Sequence, residues 1–174
     1  MNKEQAHLVR IIRGLTLFFI IALILSGITA FPLETEMKLG CAILGIDTNL
    51  PSSEYQGLLH WISLVYQGLS ETNQAYPFLA YGFDWLAFAH LVIAVAFIGV
   101  WLKPVRNIWI VHFGMVACIG VIPLAFICGP IRGIPFYWTL IDCSFGVVGI
   151  IPLWYLHKYI KRLEVLMGYT PRKY

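Results

Sequence analysis

The sequence predicts an all-α fold, an integral membrane four-helix bundle with an amphipathic helix in the extracytoplasmic loop between its first two spans. Three observations carry that expectation. Of 174 residues, 59% are hydrophobic and only 12% charged, with a mean hydropathy of +0.77, against about 45–50% apolar and about 25% charged in a soluble domain. Four apolar runs, at about 15–33, 85–102, 108–128 and 136–156, approach the roughly 20 residues that a spanning helix needs. The basic residues gather beside those runs rather than along one helical stripe, which reads as topology and not as a nucleic-acid surface.

The first run follows Lys3, Arg10 and Arg13 with no small-residue cleavage motif after it, so it is expected to be a retained helix rather than a signal peptide. The loop that follows, 34–83, is too long to lack structure of its own. Within it Tyr55, Leu58, Leu59, Ile62, Val65, Tyr66 and Leu69 recur at helical spacing, with Gln56, His60, Ser63 and Gln67 on the other side. This predicts an amphipathic helix suited to the lipid–water interface or to capping the bundle mouth. Ser53 and Gln56 fit a capping box at its start, and 36–45 predicts a shorter helical turn.

The second and third runs are joined by KPVRN (103–107), and the third and fourth by GPIRGIP (129–135). Both are short and contain helix-stopping residues, so the last three spans should be consecutive antiparallel neighbours. Ala87, Gly99, Gly114, Ala117, Gly120, Gly146 and Gly149 read as small residues that let helix backbones approach in lipid. Pro123 and Pro152 predict kinks. No repeat or compositional break divides the chain, so 1–174 reads as a single multi-pass domain in the cell membrane.

Ionisable groups at membrane depth are costly unless paired or hydrated, and therefore mark candidate sites. His90 lies about 9 Å inside the outer end of the second span at about 1.5 Å per residue, and Asp142 lies at the same depth in the fourth. These two are the candidate catalytic pair, with Asp142 orienting the imidazole. His60, Trp61, Asp84 and Arg132 complete a candidate ligand-binding set. The bland alternative is that His90 and Asp142 only satisfy each other and fix helix packing. GPIRGIP with Arg132 offers N–H groups to a phosphate or carboxylate, or is simply a hairpin turn with a snorkelling arginine.

The same residues bear on other chemistry. A haem b needs axial histidines from two helices. The outer pair would be His60 with His90, where one ligand sits in a loop helix. The inner pair would be His112 with His157, which the run boundaries set several ångströms apart in depth. A zinc site of His60, His90 and Asp142 lacks any HExxH or CxxC spacing, so no metal is assigned. Cys41, Cys118, Cys128 and Cys143 contain no CxxC, which leaves only an outer Cys41–Cys128 disulfide open. No phosphate loop or nucleophile elbow is present.

Three functions remain. The first is an outward-opening polar pocket that binds a small ligand or lipid headgroup, with catalysis at His90 and Asp142. The second is a haem b or quinone-linked electron carrier, and the third a structural or regulatory membrane subunit. Expected partners are membrane lipids, a small-molecule or lipid ligand, and a second copy or another membrane subunit, but no nucleic acid.

Two predictions follow from the charge pattern and the polar pair. In a cysteine-free background, cysteines introduced at Ser53 and Arg172 should label from outside and inside respectively, since Lys and Arg favour the cytoplasmic side and so put both the N- and C-termini in the cytoplasm; labelling of both from one face contradicts this orientation. For the pair, thermal stability of His90→Ala, Asp142→Ala and the double variant should show a coupling of about 0.5–2 kcal/mol. Strict additivity would mean that the two side chains do not interact.

Overall fold

In the computed structural model, which describes residues 2–168, the apolar runs become four long helices and the outer loop two shorter ones. In chain order these are α1 (Lys3–Ala30), α2 (Leu33–Ile43), α3 (Gly57–Ala75), α4 (Tyr81–Leu102), α5 (Ile108–Ile131) and α6 (Phe136–Leu166). Short 3-10 turns at Ser52–Glu54 and Pro77–Ala80 lead into α3 and α4. No strand occurs among the described residues. α1, α4, α5 and α6 are each long and apolar enough to cross a membrane, and Leu17, Phe18, Leu25, Phe88, Val95, Val116 and Val148 point outward from them. Exposed apolar belts of this extent fit lipid rather than water. This is a multi-pass membrane protein.

The helices outrun the expected spans in ways that local chemistry explains. α6 continues ten residues past 156 because Leu156, Ile160 and Leu163 bury one stripe while Lys158, Lys161 and Arg162 stay exposed. At about 1.5 Å per residue, its 31 residues span about 46 Å, well beyond a hydrocarbon core of about 30 Å. α1 similarly begins at Lys3, with nothing in the N-terminal arm to break it. The two overhangs end together: Gln5 Nε2 donates to the Leu166 carbonyl at 2.8 Å, and Arg162 pairs with Glu4 at 2.5 Å.

Contacts divide the chain into two units, residues 2–20 with 95–168, and residues 21–94. The centre of the first is the α5–α6 hairpin. α5 runs to Ile131, taking in Gly129 and Pro130 rather than stopping at Cys128. Its end is a Schellman turn: Gly133 adopts φ +68°, Gly133 N–H reaches the Pro130 carbonyl, and Ile134 N–H the Gly129 carbonyl. Only a residue at ease with positive φ fits there. Along the hairpin the backbones nearly touch. A methyl group at Gly146 would collide with the Cys118 carbonyl oxygen and lie 2.6 Å from Val121 Cγ1. Pro123 and Pro152 lie inside helices that continue past them.

The α4–α5 turn is closed by Asn107, whose amide donates to the carbonyls of Gly99 and Lys103 at 2.8 and 3.0 Å. Both carbonyls also accept a backbone N–H, Gly99 from Lys103 and Lys103 from Asn107, so the side chain adds a second bond at each and ties the turn to the end of α4. Phe19 stacks on Phe97, with ring centroids 5.5 Å apart.

In the second unit Gly27 of α1 packs on α4, where an added Cβ would sit 2.9 Å from the Ala87 carbonyl. α3 is helical and amphipathic, but its polar side faces the protein. Ser63 is 1% exposed, Gln67 bonds to the Leu50 carbonyl and the Ser52 N–H, and Asn73 donates to Glu34 of α2 at 2.7 Å. Leu58, Leu59 and Leu64 are turned outward. Hydrogen bonds from Asn73 and then Ser70 hold the Glu34 carboxyl below its usual range. The expected capping box is absent: Gln56 is the N-cap and makes no side-chain cap bond, because Gly57 at φ +58° breaks the chain between the 3-10 turn and the helix. The four cysteines are free thiols, and burial pushes that of Cys41 up.

Candidate functional site

Two constellations in the first unit hold functional chemistry. The larger is a cavity of about 760 Å³ at the overhanging end, walled by Val9, Leu102, Pro104, Val105, Leu163 and Met167 and bordered by Gln5, Arg13, Lys103 and Arg106. Each wall comes from a different element: the first turns of α1, the α4–α5 turn and the last turn of α6. Among the described residues, three cations and no carboxylate border it. Arg13 is held with its guanidinium 5.1 Å from the centroid of Trp101, a cation–π contact that keeps the charge at the rim without neutralising it. Glu4, the nearest acid in sequence, is engaged by Arg162.

The second constellation is a pair of imidazoles. His112 on α5 and His157 on α6 have ring centroids 4.9 Å apart, with planes tilted by 46°. The run boundaries set these residues at different depths and left His157 just past the end of the fourth run. The continuation of α6 to Leu166 corrects both expectations, since His157 is an interior helical residue facing its neighbour across the hairpin. His7, by contrast, is exposed near the start of α1.

The contact also tests the inner haem. Trans axial imidazoles on one iron hold their ring centres about 6.3 Å apart with the macrocycle between them. Rings in contact at 4.9 Å leave no room for it, and His112 with His157 do not fit that group.

The residues singled out in the outer half are distributed between the units. Arg132 and Asp142 belong to the first. Arg132 is the exposed C-cap of α5, and Asp142, part-buried on α6, has no hydrogen-bond or ion-pair partner among the described residues. His60, Trp61, Asp84 and His90 belong to the second. The Nδ1 of His60 is 2.7 Å from the Ser52 carbonyl, tying α3 to the turn before it. Trp61 follows it on α3, part-buried. Asp84 is in the first turn of α4, where a carboxylate complements the helix dipole. The Nδ1 of His90 is 2.8 Å from the Leu86 carbonyl one turn back, so the ring is held by its own helix. A second cavity here, about 220 Å³, is lined by Phe31, Glu34, Leu69, Asn73 and Phe83 among others, and its carboxylate is already bonded to Asn73. No cluster of three or more metal-ligating side chains occurs among the described residues.

No protein-family model, no curated protein and no solved structure matches this chain. Its class is defined by the four apolar helices.

Proposed function

We propose that this membrane protein binds an anionic phospholipid at its basic end. The observation that carries the reading is the cavity bordered by Arg13, Lys103 and Arg106 over a wall of Val9, Leu102, Val105, Leu163 and Met167. A ligand that satisfies both parts has a negatively charged head and an apolar chain. Its volume is in the range of about 300–1,000 Å³ found for small-ligand sites, and basic pockets at the ends of spanning helices recognise anionic headgroups. Arg13, steadied by Trp101, would meet the phosphate, with Lys103 and Arg106 closing on it from the adjoining turn.

A second reading places a small ligand or headgroup in the outer half of the first unit, at Asp142. Its support is Asp142, a carboxylate on a spanning helix with no partner among the described residues, since such a group is costly without function or pairing.

The lipid reading is tested by quenching of tryptophan fluorescence, Trp101 included, with brominated phosphatidylglycerol against brominated phosphatidylcholine in nanodiscs. Wild type should prefer the anionic lipid. Each cation contributes about 1 kcal/mol, or about fivefold, so Lys103→Gln with Arg106→Gln should reduce the preference by more than tenfold at unchanged thermal stability. Full preference in the double variant, or its abolition by millimolar inorganic phosphate, would refute a lipid site.

A further inference from the structure

The His112–His157 pair does not belong to the lipid cavity and is not explained by it. Two imidazoles on neighbouring helices can share one ion, and their spacing can be set against what that geometry needs. With a metal–nitrogen bond of about 2.0–2.1 Å and a nitrogen about 1.1 Å from its ring centre, two imidazoles on one ion have centroids about 4.5 Å apart at a right angle and about 5.2 Å apart at the tetrahedral angle. The observed 4.9 Å falls between these values. The separation that is too short for trans ligation of a haem is compatible with cis ligation of a bare ion.

We infer that His112 and His157 form a two-histidine site for a first-row divalent metal ion, of the zinc, nickel or copper class that imidazole favours. One nitrogen of each ring donates its lone pair, and the remaining positions are left for water or a second ligand. The site is reachable from the aqueous phase: His112 is four residues from the start of α5, about 6 Å along its axis. The nearby cations are engaged elsewhere, Lys158 over the Trp154 ring at 4.3 Å and Lys161 with Glu164 at 2.8 Å. The hairpin also preorganises the pair, because Gly114, just below His112, sits against Leu153, just before His157, and an added Cβ would be 3.1 Å from its side chain. An ion so held would bridge α5 to α6.

The test uses the full-length protein without a histidine tag, in detergent, with zinc chloride as the probe. Titration calorimetry should give one site that weakens at least tenfold in His112→Gln and in His157→Gln but persists in His7→Gln. X-ray absorption at the zinc edge of wild type, which needs no variant to fold, should show two imidazoles at about 2.0 Å and no sulfur. Unchanged zinc affinity in both single variants, a sulfur shell, or fewer than two imidazoles would overturn the assignment.

Discussion

The first unit depends on one contact, the near-touching of the α5 and α6 backbones where Gly146 meets the carbonyl of Cys118. In lipid there is little hydrophobic gain from pressing two apolar helices together, so close packing and the dispersion it provides must hold them. Glycine makes this possible by removing the side chain that would separate the axes. Gly129 against Thr139, Gly146 against Cys118 and Gly114 against Leu153 follow one another in antiparallel order, and His112 against His157 continues the series. The imidazole pair is therefore a consequence of register. A hairpin set even one residue differently would turn one ring away.

Beyond the imidazoles the forces change. The ends of α1 and α6 extend past what a bilayer core can cover, and there Leu8, Ile12, Ile160 and Leu163 are almost fully buried. Burial at a wet end gains the ordinary hydrophobic free energy, about 1.5–3 kcal/mol for a fully buried Leu or Ile, and charged partners such as Glu4 and Arg162 finish the surface. The cavity lies where these regimes meet, with apolar walls from helix ends and cations from the turn. α3 shows the opposite arrangement. Its hydrogen-bonding groups satisfy one another against α2 and the preceding turn, and its leucines are left outward, as an interfacial helix requires.

The long helices were legible in the sequence because lipid imposes continuous apolar runs, and the two short turns because proline and glycine punctuate them. The helix ends were less so. A run of apolar residues marks where lipid is, whereas α6 continues on the amphipathic stripe of Leu156, Ile160 and Leu163, a weaker signal that a search for spans passes over. That error misplaced His157 and separated it from His112. Arg13, Lys103 and Arg106 were read only as topology signals, since the cavity they border is made by three segments distant in sequence. What pointed to it was the presence of cations at the ends of successive spans, beside a tryptophan. Asp142 and His90 were conspicuous as polar residues in apolar helices, but sequence gives their depth and not their facing, and they fall in separate units of the fold.

The hairpin register can be read directly through Cys118, whose sulfur lies 3.0 Å from where a Cβ would stand at Gly149. Across a disulfide a Cβ and the opposite sulfur are separated by about 3 Å, given an S–S bond of about 2.05 Å. With Cys41, Cys128 and Cys143 replaced by serine, Gly149→Cys should therefore oxidise intramolecularly with Cys118 under iodine, losing two mass units and resisting maleimide after denaturation. Cysteines that both remain free to label, under conditions that oxidise an exposed thiol pair, would contradict this register and the His112–His157 contact with it.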